Sequence, residues 1–277
     1  MSQAEREALL LRAPTIIDGL TDAWPARRLW TDPQRFSARF GHHEVKAVRS
    51  GHGFVQIAKR GGAHCTAYDE EACPAQANAT LSFAELVAHS EAEQIVIMDL
   101  EDMAKGEHRL LTDLSTEYEL PEFLESISNL RLLSLGGRPE GVQMSRHDAA
   151  WLAVVVGAKL WHLAPPDRPK PADRLCAQRG KVDYALAAAE GVTHCIAHPG
   201  EVVVVPDGWW HATCNLAPYT LAIGGQTWDA HAGPLFGARG PQAREATAER
   251  WRNGAPRSLN TYQSRIDEHL IDGQRIS

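Results

Sequence analysis

The 277-residue sequence contains only five cysteines, and no two of them form a Cys-x-x-Cys pair. An odd and scattered set argues against a disulfide framework and against a zinc site built from four thiolates. Long apolar runs are also missing, since runs such as 152–156 have strand length and are too short to span a bilayer. The first 12 residues mix acidic and basic side chains around three leucines, unlike a signal peptide. We therefore expect a cytoplasmic protein without a membrane segment.

The charge balance lacks the excess of basic residues that nucleic-acid binding needs. Lysine and arginine total 28 against 35 aspartates and glutamates, a net charge of −7, and no basic stripe runs along the sequence. Binding to nucleic acid or to an anionic membrane is therefore not expected. We expect a peptide, protein or small-molecule substrate instead. With 44% hydrophobic residues, the protein has ample material for a core.

The second half of the sequence is rich in short β-type runs separated by turns that contain glycine or proline. Predicted strands cover 130–135, 152–156, 160–163, 201–205, 211–215 and 219–223. Many short strands broken by turns are typical of an antiparallel sandwich or barrel, not of a parallel α/β sheet. The predicted fold class is therefore mainly β with flanking helices, in a single domain of residues 1–277.

The patterns outside this β-rich region are mixed. Short strands are predicted at 14–19, 45–48, 54–58 and 95–98, and helices at 32–40, at 81–92 after a Thr80 cap, and as one turn at 121–126. Charged helical sequence returns after Trp228, with C-terminal helices expected within about 240–272. Such helices could pair two protomers, so a homodimer is one expectation.

The segment 198–216 carries the clearest candidate site. The Pro-Asp-Gly sequence at 206–208 predicts a tight turn between two strands, because proline fixes its own φ and glycine tolerates a positive φ. His211 opens the second strand, and Thr213 and Asn215 share its face by the two-residue period. Such a polar face inside a barrel needs partners, which a metal and its co-ligands would supply. The alternative is a hydrogen-bonded histidine near the barrel rim.

Two further segments complete an ordered set of motifs. Residues 157–166 have the sequence GAKLWHLAPP, and residues 199–215 have the sequence PGEVVVVPDGWWHATCN. The third segment, 141–151, contains His147. The set resembles the JmjC (cupin-like) Fe(II)- and 2-oxoglutarate-dependent oxygenases, whose pattern is an HxD or HxH pair, GxKxWxLxPP, and a PGE strand followed by WWH and an Asn. The resemblance spans most of the sequence up to about Trp228. It is closest to small single-domain members that have HxH in place of HxD.

The resemblance implies a fold, cofactors and roles for particular residues. The fold is a double-stranded β-helix (cupin or jelly-roll) barrel over about 130–228, and the cofactors are 2-oxoglutarate and Fe(II) or another divalent metal. His211 falls on the distal metal ligand and His147 on the second member of the histidine pair, so both are candidate metal ligands and catalytic residues. Lys159 falls on the lysine that pairs with the far carboxylate of 2-oxoglutarate; the alternative is a solvated turn lysine. Thr213 and Asn215 join Lys159 as candidate cofactor-binding residues.

The sequence departs from the family pattern at the first ligand position, which is occupied by Ser145. A neutral hydroxyl is a poor ligand for Fe(II), which is ordinarily held by two histidines and one carboxylate. Asp148 is a further candidate metal ligand, although a strand would point it away from His147 unless a bulge turned it inward. A second register puts His147 at the first position and Ala149 at the acid position, as in the iron-dependent halogenases. In both registers the site has two histidine ligands, and one ligand position is left without a strong donor.

The other histidines have simpler interpretations. His194 and His198 have a spacing that can bind zinc on a helix, but the Pro-Gly that follows indicates a loop entering a strand. His162 is expected to face the opposite side of its strand from Lys159. The pair at 42–43 follows a glycine that ends a helix and is interpreted as a surface loop.

Three functions remain open from the sequence. The first is an oxygenase, in particular a hydroxylase, acting on a peptide side chain or small molecule with an atypical metal site. The second is a catalytically silent JmjC fold used for binding or scaffolding, which Ser145 favours and the retained His147, Lys159 and His211 disfavour. The third is halogenation or other metal chemistry that uses the open coordination position.

Overall fold

The computed structural model describes residues 13–50, 53–58, 78–90, 94–99, 109–121, 124, 130–138, 140–147, 149–171, 189 and 191–226. The predicted C-terminal helices lie outside these residues, as does most of the predicted turn at 121–126. The single-domain assignment therefore stays a prediction. In the part of the protein that is described, no helix has the length and apolarity needed to cross a membrane.

The described residues form thirteen strands, four α-helices and one short 3-10 helix. The strands are β1 (Thr15–Ile17), β2 (Glu44–Ser50), β3 (Gly53–Ala58), β4 (Asn78–Ser82), β5 (Ile95–Asp99), β6 (Leu130–Gly136), β7 (Gly141–Ser145), β8 (Ala150–Val156), β9 (Lys159–Ala164), β10 (Thr193–Ala197), β11 (Val202–Val205), β12 (Trp210–Asn215) and β13 (Thr220–Gln226). The helices are α1 (Ala26–Leu29), α2 (Pro33–Phe40), α3 (Phe83–His89) and α4 (Arg109–Leu114), with the 3-10 helix at Ser115–Glu117.

The strands are arranged in two sheets. The large sheet has the order β1-β11-β8-β13-β6-β5-β3-β2-β4, and the small sheet has the order β10-β9-β12-β7. Every described strand pair is antiparallel except β3 with β5. Antiparallel sheets with few helices match the jelly-roll or cupin architecture, so the predicted fold class is confirmed.

Strand β8 explains why its sequence is apolar without alternation. Leu152 and Val154 pack into the core between the two sheets, against Trp161 and Leu163 of β9. The alternate residues of β8 face the other way, into a core shared with the helices. A strand buried on both faces needs apolar residues at every position, and each fully buried Val or Leu contributes about 1.5–3 kcal/mol.

The helices cover the outer face of the large sheet. Asp32 caps α2 by accepting hydrogen bonds from two backbone amides, and Phe36 and Phe40 are buried against Trp30. Helix α3 begins later than predicted. Its N-cap is Ser82, which forms a capping box with Glu85. The predicted Thr80 cap is wrong, because Thr80 lies within β4, where it pairs with β2.

Two glycines turn the backbone from one sheet to the other. Gly157 (φ +78) joins β8 of the large sheet to β9 of the small sheet, and Gly208 (φ +76) joins β11 to β12 in the same way. A Cβ at Gly157 would lie 2.5 Å from the Tyr219 carbonyl oxygen, so no other residue fits there without a shift. These corners bring Lys159 and His211 onto the small sheet.

Candidate metal and cosubstrate site

His147 and His211 meet at one end of the barrel. Their Nε2 atoms are 2.9 Å apart, and their ring centroids are 4.5 Å apart at an interplanar angle of 85°. Two imidazole nitrogens bound at right angles to one octahedral ion, at about 2.1 Å each, would lie about 3.0 Å apart. The two nitrogens are therefore spaced as adjacent ligands of a single ion.

Backbone contacts orient the His211 ring and position the backbone of His147. His211 Nδ1 lies 3.0 Å from the Trp209 carbonyl oxygen, which can only accept, so Nδ1 carries the proton and Nε2 presents its lone pair. The Gly208 amide donates a 2.9 Å hydrogen bond to the His147 carbonyl oxygen. The turn before β12 thereby ties together the two segments that carry the histidines.

The electrostatic environment keeps His211 neutral. Burial and, second, the neighbouring His147 ring lower the pKa of His211 to about 3, while the hydrogen bond to the Trp209 carbonyl acts in the opposite direction. A neutral imidazole is the form that binds a metal. The residue is therefore ready to act as a ligand at physiological pH.

Ser145 lies beside this histidine pair. It is the last residue of β7 and is directly opposite His211 in the pairing of β7 with β12, next to a register shift in that pairing. Its side chain is buried, and among the described residues its Oγ has no hydrogen-bond partner. A buried hydroxyl without a partner costs free energy, so this position is suited to a ligand or water that completes it.

Asp148 and Ala149 are the other two residues considered for the third ligand position. Asp148 lies outside the described residues, so its role as a metal ligand stays a prediction. Ala149, at the open position of the halogenase-like register, is buried. Neither residue changes the donor set shown by the described part of the protein, which is two imidazoles and one hydroxyl.

Lys159 is buried on the same face of the small sheet as His211, at the other end of the pairing between β9 and β12. Only 1% of the residue is exposed, and its Nζ donates hydrogen bonds to Asn215 Oδ1 (2.7 Å) and Ser134 Oγ (3.3 Å). Burial lowers the pKa of Lys159 to about 7. No carboxylate of the described residues pairs with it. The alternative of a solvated turn lysine is therefore wrong, and the ammonium lacks a counter-charge within the described structure.

A network of buried polar side chains positions this lysine. Asn215 Nδ2 donates to Gln94 Oε1 (2.9 Å), and Gln94 Nε2 donates to Ser134 Oγ (3.1 Å). A Cβ at Gly136 would lie 2.6 Å from Asn215 Nδ2, so the network occupies the space above that glycine. The sequence interpretation did not include Gln94 or Ser134, because neither lies in a motif and only the pairing of β5 with β6 brings them to Lys159.

The wall between the two ends is formed by β9 and β12. Thr213 is buried, and its Oγ1 accepts a 3.4 Å hydrogen bond from the Val142 amide. Trp161 lies 6.2 Å from His211 between ring centroids, and its buried Nε1 has no partner among the described residues. Trp161 thus offers a second unused hydrogen-bonding atom close to the histidine pair.

The other histidines lie away from this pocket. His162 is on the opposite face of β9 from Lys159 and is fully buried, not solvated. His194 lies within β10, where it pairs with His162, so the expected loop at this position is wrong, and His198 follows the strand. His43 is also buried, whereas a surface loop was expected.

Comparison with known proteins supports the family resemblance. The lysine-specific demethylase JMJ21 of Arabidopsis thaliana is 24% identical over 241 residues, which span 76% of this chain and 23% of that protein. The bifunctional arginine demethylase and lysyl-hydroxylase psr-1 of Caenorhabditis elegans is 24% identical over 247 residues, 76% of this chain and 54% of that protein. JmjC domain-containing protein 8 of Mus musculus is 33% identical over 85 residues, 30% of this chain and 32% of that protein. No protein-family profile matches the sequence.

These relatives confirm the predicted resemblance to the JmjC-domain family. The sequence spans between 23% and 54% of the length of the relatives it matches. The closeness to members with HxH in place of HxD stays a prediction.

Proposed function

We propose that the protein is a JmjC-type Fe(II)- and 2-oxoglutarate-dependent oxygenase with an atypical metal site. One observation carries the proposal: a buried lysine ammonium, without a carboxylate partner among the described residues, shares a barrel with two histidines whose Nε2 atoms are 2.9 Å apart. An uncompensated buried cation favours an anionic ligand, and a pair of neutral imidazoles favours a metal ion. A dicarboxylate that chelates the metal would satisfy both.

The two ends of the pocket would bind different parts of the ligand. His147 and His211 would hold the metal, and Lys159 would pair with the far carboxylate of 2-oxoglutarate, supported by Asn215. Asn215 lies four positions after His211 on β12, or about 13 Å along the strand, which leaves room for an extended dicarboxylate between the two ends. When bound, the metal and cosubstrate would supply the activation of oxygen. The protein's part is to orient them and to exclude water.

The proposed substrate is a peptide or protein side chain, with a small molecule as the alternative. The names of the relatives describe demethylation of lysine and arginine and hydroxylation of lysyl residues. The net charge of −7 is compatible with a basic peptide. Hydroxylation is the reaction we propose, because it is the direct result of inserting oxygen into a C–H bond of the substrate.

A catalytically silent JmjC fold that binds a partner is the second candidate function. The observation that favours it is Ser145, which lies opposite His211 where a third strong ligand would be expected. Two protein ligands bind Fe(II) more weakly than three. The two functions are separated by whether metal binding depends on the cosubstrate.

Anaerobic calorimetric titration of the full-length protein with Fe(II), with and without 2-oxoglutarate, tests the proposal. We expect weak binding of Fe(II) alone and at least about tenfold tighter binding with 2-oxoglutarate, because the cosubstrate adds two oxygen ligands. His211→Ala should abolish binding in both conditions. Admission of air should then convert 2-oxoglutarate to succinate in the wild type only.

His162→Phe is the matched control, since it removes a buried histidine from the opposite face of β9 and should leave both titrations unchanged. If the folded wild type and His211→Ala take up no metal in either condition, the oxygenase proposal is wrong and the binding function replaces it.

A further inference from the structure

A second group of metal-binding side chains lies on the helical side of the molecule. His42 and His43 follow α2, and Asp113 lies on α4. One ligand atom from each residue lies within 4.8 Å of those of the other two. None of the three belongs to β7, β9 or β12, so this group is separate in the fold from the barrel pocket.

The position of His43 is fixed by its backbone and its side chain. Its amide donates to the Phe40 carbonyl oxygen (3.2 Å), and its carbonyl oxygen accepts from the Phe83 amide (2.7 Å). The side chain is buried, and its Nε2 lies 3.1 Å from Asp113 Oδ2. The segment after α2 is therefore attached to both α3 and α4.

His42 is exposed and stands beside this pair. Its ring centroid lies 4.2 Å from that of His43, at an interplanar angle of 33°. An exposed side chain can rotate at low cost, whereas His43 is held by its surroundings. His42 can thus approach an ion placed between His43 and Asp113.

We propose that His42, His43 and Asp113 form a site for a divalent transition metal ion, with zinc as the ion of reference. Two imidazoles and one carboxylate are donors that zinc accepts, and the fourth position would hold water. Tetrahedral ligands about 2.0–2.1 Å from zinc lie about 3.3 Å from one another. The His43–Asp113 distance of 3.1 Å already fits, so the ion needs only the rotation of His42.

The bound ion would join the end of α2 to α4. The competing interpretation is that His43 and Asp113 form an ion pair that simply fastens the helices, with His42 uninvolved. The two interpretations differ in what His42 does. A metal site needs His42, whereas the ion pair does not.

The test is a zinc titration of the full-length protein, by competition with a chromophoric chelator, in wild type and His42→Ala. Repeating both in a His211→Ala background removes the barrel pocket from the comparison. We expect His42→Ala to bind one zinc fewer, or that zinc at least about tenfold more weakly, in both backgrounds. Zinc should raise the Tm of the wild type more than that of His42→Ala.

His89→Ala, which removes an exposed histidine from α3, is the control and should keep the full zinc stoichiometry. Because His42 is exposed, its loss should leave the metal-free Tm unchanged, which excludes misfolding as the cause. If His42→Ala and wild type bind zinc with equal stoichiometry and affinity, the site does not exist and the ion-pair interpretation stands.

Discussion

The two ends of the barrel pocket are incomplete in opposite ways. At the lysine end, Lys159, Asn215 and Gln94 are hydrogen-bonded to one another or to shared partners, but the positive charge has no anion among the described residues. At the histidine end, the low pKa of His211 leaves that imidazole uncharged, but Ser145 Oγ and Trp161 Nε1 have no described partner. The lysine end lacks an anion, and the histidine end lacks partners for these two polar atoms.

This difference indicates what kind of ligand each end accepts. The lysine end needs no further hydrogen-bond donor of its own, so an anion can bind to a network that is already arranged. The histidine end needs a cation and atoms that contact the unused hydroxyl and indole. In the proposed function, a single chelate of a metal and a dicarboxylate would complete both ends, whereas either component alone would complete one.

Removal of the lysine charge should have the largest effect and should separate the two ends. We expect Lys159→Met to weaken 2-oxoglutarate binding by about 10- to 150-fold, because charged hydrogen bonds contribute about 1.5–3 kcal/mol. Binding of Fe(II) alone should remain as in the wild type. Anaerobic titrations of both ligands measure this, and equal loss of both would show that the two ends are not independent.

The same lysine should make 2-oxoglutarate binding depend on pH. Because burial lowers the pKa of Lys159 to about 7, the ammonium form is lost as the pH rises above 7, and the affinity should fall from about pH 6.5 to about pH 8.5. Lys159→Arg, which stays charged, is the control and should show no such fall. A wild-type affinity that is constant over this interval would contradict the assignment.

Addition of a third strong ligand should change the histidine end alone. We expect Ser145→His to bind Fe(II) at least about tenfold more tightly without 2-oxoglutarate, because a third imidazole completes a facial set of ligands. Ser145→Ala is the matched control and should bind as the wild type does. If the two variants bind Fe(II) equally, position 145 does not face the ion.

Loss of Gln94 should have a smaller effect, confined to the lysine end. Gln94→Leu removes the acceptor of the Asn215 amide, a neutral hydrogen bond worth about 0.5–1.5 kcal/mol, so 2-oxoglutarate affinity should fall about 2- to 10-fold. Fe(II) affinity without cosubstrate should not change. A loss of metal binding in a folded Gln94→Leu would mean that the network acts on the whole barrel.

The smallest expected effect is the one that His162 has on the pH dependence of stability. Its ring nitrogens also lack partners among the described residues, but His162 faces away from the pocket. Burial, and then the His194 ring, lower the pKa of His162 to about 4. Between about pH 4 and pH 6.5 the unfolded state binds more protons than the folded state, so wild-type stability rises with pH across this interval and falls on acidification. With a pKa near 6.5 in the unfolded state, this protonation lowers the free energy of unfolding at pH 6 by about 0.8 kcal/mol relative to its value at high pH.

We expect His162→Phe to lose less stability than the wild type between about pH 7 and pH 6 in urea unfolding, with ligand binding unchanged. His89→Phe, at an exposed position, should keep the wild-type pH dependence. A change in Fe(II) or 2-oxoglutarate affinity in His162→Phe would contradict the placement of His162 outside the ligand site.

The sequence predicted the β-rich half well because its turns are chemically explicit. Positive φ at Gly157 and Gly208 is needed where the backbone passes between the sheets, and both glycines lie in motifs that could be read directly. Boundaries in the first half were less accurate, since β4 passes directly into the capping box at Ser82. Gln94 could not be predicted, because a glutamine next to an apolar strand carries no local signal and gains its role only through a partner far along the sequence.

The hydrogen bond between Asn215 and Gln94 joins residues separated by 121 positions in the sequence. Contacts of such long range form late in folding, because the entropy cost of closing the loop must be overcome before they contribute. The lysine end of the pocket therefore exists only after β5, β6 and β12 have assembled into the two sheets. A nascent or partly unfolded polypeptide has no site for a dicarboxylate, so a bound dicarboxylate would stabilise the assembled barrel alone and would lengthen its lifetime against proteolysis.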